Sequence, residues 1–250
     1  MKTRYLFPLF SALLATAATA QPVTMSNDEA FAAQQTVLGL LDTLIKRGDA
    51  SPALTALQCG TRACSGEADL WFDLPGEPAT RLLVALTRNG DSCHACAPAL
   101  SLARFEHSDG GWRLRTLQPF FTLSGSWGDF SGEMSMLPVS ASRYALVITD
   151  GFTAQGVTSR RDRLFLPSGG LFREVCCDVN RDYSNAGAGT TPSLSWQGTL
   201  EALPDSGRSP YDLRYRLQGQ MNGSHGVEEI VLRYQDGGYK PVEPLPQWMP

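Results

Sequence analysis

Past its first twenty residues the sequence has no unbroken apolar run near the roughly 20 residues a helix needs to cross a bilayer, because charges and turn residues interrupt every candidate. No membrane span is expected. Clustered basic residues are also missing: 21 Lys and Arg lie scattered against 25 Asp and Glu, for a formal charge of −4. Nucleic acid is therefore not an expected partner, since phosphate binding needs a basic stripe or patch. Histidine is scarce. His94, His107 and His225 each fall in a loop or exposed strand position without an obvious partner, and no serine occupies a GxSxG elbow, so nucleophilic hydrolysis has little to work with. Covalent haem attachment needs a histidine directly after the second cysteine of a CxxC pair, and Ala97 follows Cys96 instead. Asp73, Asp129, Glu133 and Asp150 could pair for acid–base work, but scattered carboxylates are ordinary on a β surface. The reading leans away from an enzyme and implies no cofactor, calcium excepted.

What is present begins with an export signal over residues 1–20: Lys2 and Arg4, then the apolar stretch from Tyr5 to Ala15, then Ala18-Thr19-Ala20 as a small-residue cleavage site before Gln21. Without Lys2 and Arg4 the formal charge falls from −4 to −6. A periplasmic or secreted protein is expected. All six cysteines (Cys59, Cys64, Cys93, Cys96, Cys176 and Cys177) follow the signal, and an even count in an oxidising compartment favours disulfides. Local spacing suggests Cys59 with Cys64 and Cys93 with Cys96. That leaves Cys176 and Cys177 to each other, unless the pairings rearrange.

Residues 21–58 read as a helix and linker. Ser26 is placed to cap the helix with Glu29 three residues on, and Gly48 is placed to stop it after Lys46 and Arg47. Phe31, Leu38, Leu41 and Ile45, with Val37, Leu40 and Leu44 beside them, form a broad apolar stripe at helical spacing. From Ala68 the pattern changes to short β runs separated by Gly, Pro and Asp. Three stretches look alike: 81–89, 143–151 and 211–219. Each is followed by a hairpin-like segment carrying a glycine turn and then an aromatic residue, Trp112, Phe172 or Tyr239, about 60 to 67 residues apart. "SDGGW" and "QDGGY" supply the Asp and Gly that tight hairpins need. The expectation is an all-β protein of repeated antiparallel β units over residues 59–243, propeller-like or a sandwich, with one N-terminal helix. A proline-rich tail, 244–250, should follow.

"GDSCHACAP", "GSWGDF" and "DGFTAQG" together resemble a group of exported bacterial proteins with no assigned activity, over roughly Arg81 to Cys177. The resemblance implies an all-β exported protein and carries over no catalytic residues. The closing "VLRYQDGGYKPV" is similar to the last strands of periplasmic β-repeat proteins, some of which inhibit peptidoglycan-cleaving enzymes.

Four stretches could carry function. Cys93, His94 and Cys96 could form a redox couple or, with Cys176 or Cys177, a zinc site. A thioredoxin needs a helix after the second cysteine, however, and the residues after Pro98 read as two strands and a turn. The bland reading is a disulfide that pins a loop. Asp178, Asn180, Asp182 and Ser184 alternate as oxygen ligands do in a calcium loop, but Tyr183 stands where the turn glycine should be and Gly189 where the bidentate glutamate should be. A polar turn is the alternative. In "GSWGDFSGE", Trp127 and Phe130 could offer aromatic surface to a sugar or protein, or plug a sheet end. "DGFTAQGVTS" offers Thr153 and Gln155 with the same ambiguity. The expectation is a non-enzymatic binding protein for an envelope protein or glycan, with inhibition of a cell-wall hydrolase as an activity it could serve; an envelope thiol or metal protein is the alternative.

Overall fold

The computed structural model describes residues 23–48, 52–59, 63–74, 78–90, 93, 96–177, 179–189, 192–221, 223–247 and 249. The predicted signal segment, His94 and Asp178 lie outside them. Helix α1 (Asn27–Arg47) starts on the expected capping box: the Glu29 amide donates to the Ser26 hydroxyl at 3.3 Å, and the Glu29 carboxylate accepts from the Ser26 amide at 2.9 Å. Gly48, at φ +70°, closes it. Its fully buried row is Ala33, Val37 and Leu41, and Leu38, Leu44 and Ile45 of the expected stripe pack half-buried beside it; Phe31 and Leu40, at 61% and 42% exposed, stay out. A helix lying on a sheet buries the row that faces it most and half-buries the residues flanking that row. Part of the expected linker is a second short helix, α2 (Pro52–Leu57), which begins on the proline and buries Ala53, Leu54 and Leu57.

Thirteen strands follow among the described residues, and they divide as the sequence repeat suggests. The first unit is β1 (Ser65–Leu74), β2 (Thr80–Arg88), β3 (Ala99–Ser108) and β4 (Gly111–Leu123). The second is β5 (Glu133–Pro138), β6 (Tyr144–Ala154), β7 (Val157–Ser168) and β8 (Leu171–Cys176). The third is β10 (Ser195–Leu203), β11 (Asp212–Met221), β12 (Ser224–Gln235) and β13 (Gly238–Pro241). Each is an antiparallel meander in which every strand pairs with its sequence neighbour. Trp112, Phe172 and Tyr239 hold the same place, second residue of the last strand. A short extra strand, β9 (Asn180–Ser184), pairs with the first half of β7 and with the start of β10, and so joins the second and third units into one nine-stranded sheet.

The units stack face to face. Leu83, Ala85, Ala103 and Phe105 of the first unit bury one face under α1 and α2. Its opposite face, with Leu82, Val84, Leu100 and Leu102, packs on Leu146, Ile148 and Phe165 of the second. The second unit's other face, with Ala145, Val147, Leu164 and Leu166, packs on Leu213, Tyr215, Leu217 and Leu232 of the third. This follows from the period-2 alternation: β6 and β7 are apolar on both faces and form the middle layer. Of the two expected arrangements the sandwich-like one is observed. Helices cover the outer face of the first unit, so the stack does not return on itself as propeller blades would.

Two polar clamps fix the first unit on the second. The Gln118 side chain donates to the Phe172 carbonyl at 2.9 Å and accepts from the Phe172 amide at 2.7 Å. Arg163 donates to the Leu123 carbonyl at 2.9 Å and to the Thr122 hydroxyl at 2.7 Å while holding Glu174. The proline-rich end is not a free tail: Leu245 and Met249 pack against the core between the second and third units. Proline stops strand pairing after Pro241, but apolar side chains beyond it still find a greasy edge to cover.

Candidate functional site

The expected pairings Cys59 with Cys64 and Cys93 with Cys96 stand at disulfide distance, with Cα separations of 5.5 and 5.0 Å, and Cys176 faces Cys177. No cysteine among the described residues is unpaired. After Pro98 the chain enters β3, a strand, where an oxidoreductase of thioredoxin type would need a helix. The Cys93–Cys96 link instead shapes a platform. The Cys96 amide donates to the Cys93 carbonyl at 2.9 Å, and these two cysteines offer their carbonyls to the next loop: Cys93 accepts from the Trp127 amide at 3.0 Å and Cys96 from the Gly128 amide at 2.6 Å.

That loop is a tight two-residue turn. Ser126 and Asp129 exchange both backbone hydrogen bonds at 3.0 Å, and Trp127 and Gly128 between them have φ of +57° and +78°. Two consecutive positive φ values define the mirror-image turn that glycine and asparagine favour. A tryptophan there carries a backbone cost of about 1 kcal/mol or more, which only a surrounding that over-determines it can hold. The pinned cysteine loop is that surrounding. Asp129 completes it by accepting from the Phe130 amide at 2.8 Å and pairing with Arg88 at 3.2 Å.

The turn between β6 and β7 has the same geometry, with Gln155 at φ +52° and Gly156 at +80°. Here glycine is required by space as well, because Gly156 lies against the backbone of Gly187 and Ala188. The β6–β7 hairpin carries Phe152, 52% exposed, to the neighbourhood of Trp127, 57% exposed. Both residues line one pocket of about 320 Å³, together with Asp150, Thr153, Thr158 and Arg160 and with Gly125, Gly132 and Gly151. A Cβ on Gly151 would lie 2.7 Å from the Cα of Arg160, so that position must stay bare. Asp150 is held by the Ser124 hydroxyl, and Thr153 and Thr158 share a 3.0 Å hydrogen bond. Arg160 pairs with Glu133 at 2.8 Å; that hydrogen bond holds the Glu133 carboxyl below its usual range and raises the Arg160 guanidinium, so both stay charged. Two aromatic faces above hydroxyls and charged groups suit a ligand with both apolar and polar faces, such as a sugar or a peptide.

The structure sorts the predicted site residues. Trp127 is exposed and lines the pocket, whereas Gln155 is exposed at the tip of the β6–β7 hairpin and does not line it. Phe130, predicted beside Trp127 as a binding residue, is turned in: it packs against the core between the first two units, and its ring occupies the space a side chain at Gly132 would take. The tight turn sends alternate residues to opposite sides, so one aromatic residue faces water and the other the interior. Phe152 was missed by sequence reasoning; its place beside Gly151 in "DGFTAQG", an aromatic next to a glycine in a hairpin, was the available signal. Of the proposed calcium ligands, Asp178 lies outside the described residues, and Asn180, Asp182 and Ser184 lie on strand β9 instead of a turn. Asn180 accepts from the Ser159 hydroxyl at 2.7 Å, Asp182 from the Gly198 amide at 3.1 Å, and Ser184 from the Ala186 amide at 3.4 Å. A calcium loop would instead turn those oxygens to one point. The four acids considered for catalysis are held apart by separate partners: Asp73 by Arg81, Asp129 by Arg88, Glu133 by Arg160, and Asp150 by Ser124. No helix among the described residues is long and apolar enough to cross a membrane. No protein-family model, curated protein or solved structure matches the chain, and the site is therefore read from its own geometry.

Proposed function

We propose that this chain is a non-enzymatic, exported binding protein of the periplasm or extracellular space. Its Trp127–Phe152 rim contacts a component of the cell envelope, a protein or a glycan, and catalytic chemistry plays no part in that contact. Inhibition of a cell-envelope hydrolase is the activity such a contact would serve. The observation that carries this reading is the convergence of the positive-φ Trp127 turn and the β6–β7 hairpin, from separate parts of the chain, on one pocket lined by the exposed Trp127 and Phe152. A tryptophan held at a conformational cost with more than half of its surface exposed has the character of an interface aromatic.

The test is capture of the partner from envelope extract, with purified peptidoglycan and purified cell-wall hydrolases as separate arms. Trp127→Ala and Phe152→Ala should each weaken capture about tenfold, the size expected of an interface aromatic, while the melting temperature stays within about 2 °C of the native value. Undiminished capture by both variants, with folding intact, overturns the proposal.

A further inference from the structure

The face by which the first unit packs on the second does not stay apolar along its whole length. On β2 it runs Val84, Leu82, Thr80, and on β3 Leu100, Leu102, Arg104, so the period-2 rows end in a hydroxyl and a guanidinium on paired strands. At that end the second unit presents two connections: residues 139–143 between β5 and β6, and the Gly169–Gly170 turn between β7 and β8, both glycines at positive φ. The layers part there around a pocket of about 510 Å³. Leu74, Pro78, Pro167 and Phe172 give it apolar walls, and Thr80, Ser142, Tyr144 and Ser168 bring hydroxyls.

Its charged walls are two arginines, one from each unit: Arg104 on β3 and Arg143 just ahead of β6. Among the described residues no carboxylate lines it. Arg104 meets Glu106 at 2.6 Å, but Glu106 also takes Arg115 at 2.9 Å, so one carboxylate serves two guanidiniums. The Arg143 side chain has no ion pair among the described residues. Its charge acts on the Tyr239 hydroxyl, which burial keeps protonated and which therefore offers no compensating charge. The Arg143 backbone is fixed: its carbonyl accepts from the amides of Val139 at 2.9 Å and Ser140 at 3.2 Å, and the Ser142 amide donates to the Ser140 hydroxyl at 3.3 Å. One such arginine is an ordinary surface residue. Two that reach a single pocket from separate units repel each other, and a cleft lined by one sign of charge concentrates ligands of the other sign.

We infer that this pocket binds a carboxylate carried on a small apolar body, with Arg104 and Arg143 taking the carboxylate and Leu74, Pro167 and Phe172 taking the body. Guanidinium groups meet carboxylates through parallel N–H donors, which gives the pairing both strength and direction. The volume is that of a small-ligand site, and so is the mixture of apolar walls with a few polar groups. A bare phosphate would satisfy the arginines but leave the apolar walls uncovered. A free carboxylic acid and the C-terminal residue of a peptide share the required chemistry. The pocket has no lining residue in common with the one beside Trp127, so the inference stands apart from the rim reading.

The experiment is a proton–nitrogen NMR titration of the full chain with hydrocinnamate and, separately, with N-acetyl-alanylphenylalanine. Dissociation constants on the order of 1 mM are expected for ligands of this size. The largest shifts should fall on the amides of Ser142, Gly169 and Gly170, with those of Trp127 and Gly128 unmoved. Tighter binding of hydrocinnamate assigns the site to free acids, and tighter binding of the dipeptide assigns it to a chain end; either supports the inference. Hydrocinnamamide has the body without the charge and inorganic phosphate the charge without the body, and each should bind at least about tenfold more weakly than hydrocinnamate. Arg143→Gln should weaken hydrocinnamate about tenfold and keep the melting temperature within about 2 °C of the native value, because no ion pair is lost. Arg104→Gln should weaken binding as much, at some cost in stability through Glu106. Absence of shifts at these amides, equal binding of the amide or of phosphate, or undiminished binding by either arginine variant in a folded chain overturns the inference.

Discussion

At the scale of single residues, the polar contacts that cross between layers matter most. Arg163 is 18% exposed and answers four acceptors on two units, and its guanidinium is raised chiefly by the Glu174 hydrogen bond. Arg163→Ala should lower unfolding stability by about 2 kcal/mol, because it strands Glu174 and the Leu123 carbonyl in a half-buried seam; denaturant titration measures it. Asp162 should behave in the opposite way. Its carboxyl is raised in the folded state, so the fold holds that proton more tightly than the unfolded chain does, and its contribution is greatest below the ordinary value of 3.8 and is lost as pH climbs through the folded value. Asp162→Asn should thus be at least as stable as the native chain near neutrality, with the advantage vanishing in acid; melting curves across pH compare the two. None of the polar row across β5, β6, β7 and β9 to which Asp162 belongs is legible in the sequence. Glu133, Thr149, Asp162 and Arg181 are separated by spacings that mean nothing until register and a bulge align them.

Elements were far easier to read. Ser26 and Glu29 announce the start of α1, and Gly48 its end, because a helix terminus has only a few local ways to satisfy its orphan amides and carbonyls. Ser26→Ala should cost about 1 kcal/mol, seen as a lower melting temperature. The three hairpins were legible for a similar reason: Asp-Gly and Gly-Gly pairs suit turns that few other residues tolerate. Strand β9 was not. Five polar residues resemble a loop, and this segment extends only because β7 and β10 offer it partners on both sides. The Cys93–Cys96 element is small, and in the chain-entropy view so short a closed loop stabilises the fold by only about 2 kcal/mol. Its main effect is local. Mild reduction should loosen the Trp127 turn and weaken partner capture while leaving most of the thermal stability in place, which paired binding and melting measurements with and without dithiothreitol would resolve.

For the molecule as a whole, the order of layers sets where motion is possible. β6 and β7 are covered on both faces, whereas α1 packs by one face only, through Ala33, Val37 and Leu41 with half-buried Leu38, Leu44 and Ile45 beside them, and keeps Phe31 and Leu40 in water. Amide hydrogen exchange should accordingly be slowest in the centres of β6 and β7 and fastest in α1, since exchange follows the free energy of local opening. The sequence shows the three units, but their stacking order depends on which faces match, and alternation alone does not reveal a partner. The middle layer also limits how the molecule can be cut. A fragment ending after Ser184 would leave Val147, Leu164 and Leu166 bare, and one beginning at Glu133 would leave Leu146, Ile148 and Phe165 bare. Either truncation would turn an inner wall into a sticky outer one, so this chain is indivisible in practice: it has repeats, yet no repeat can be removed.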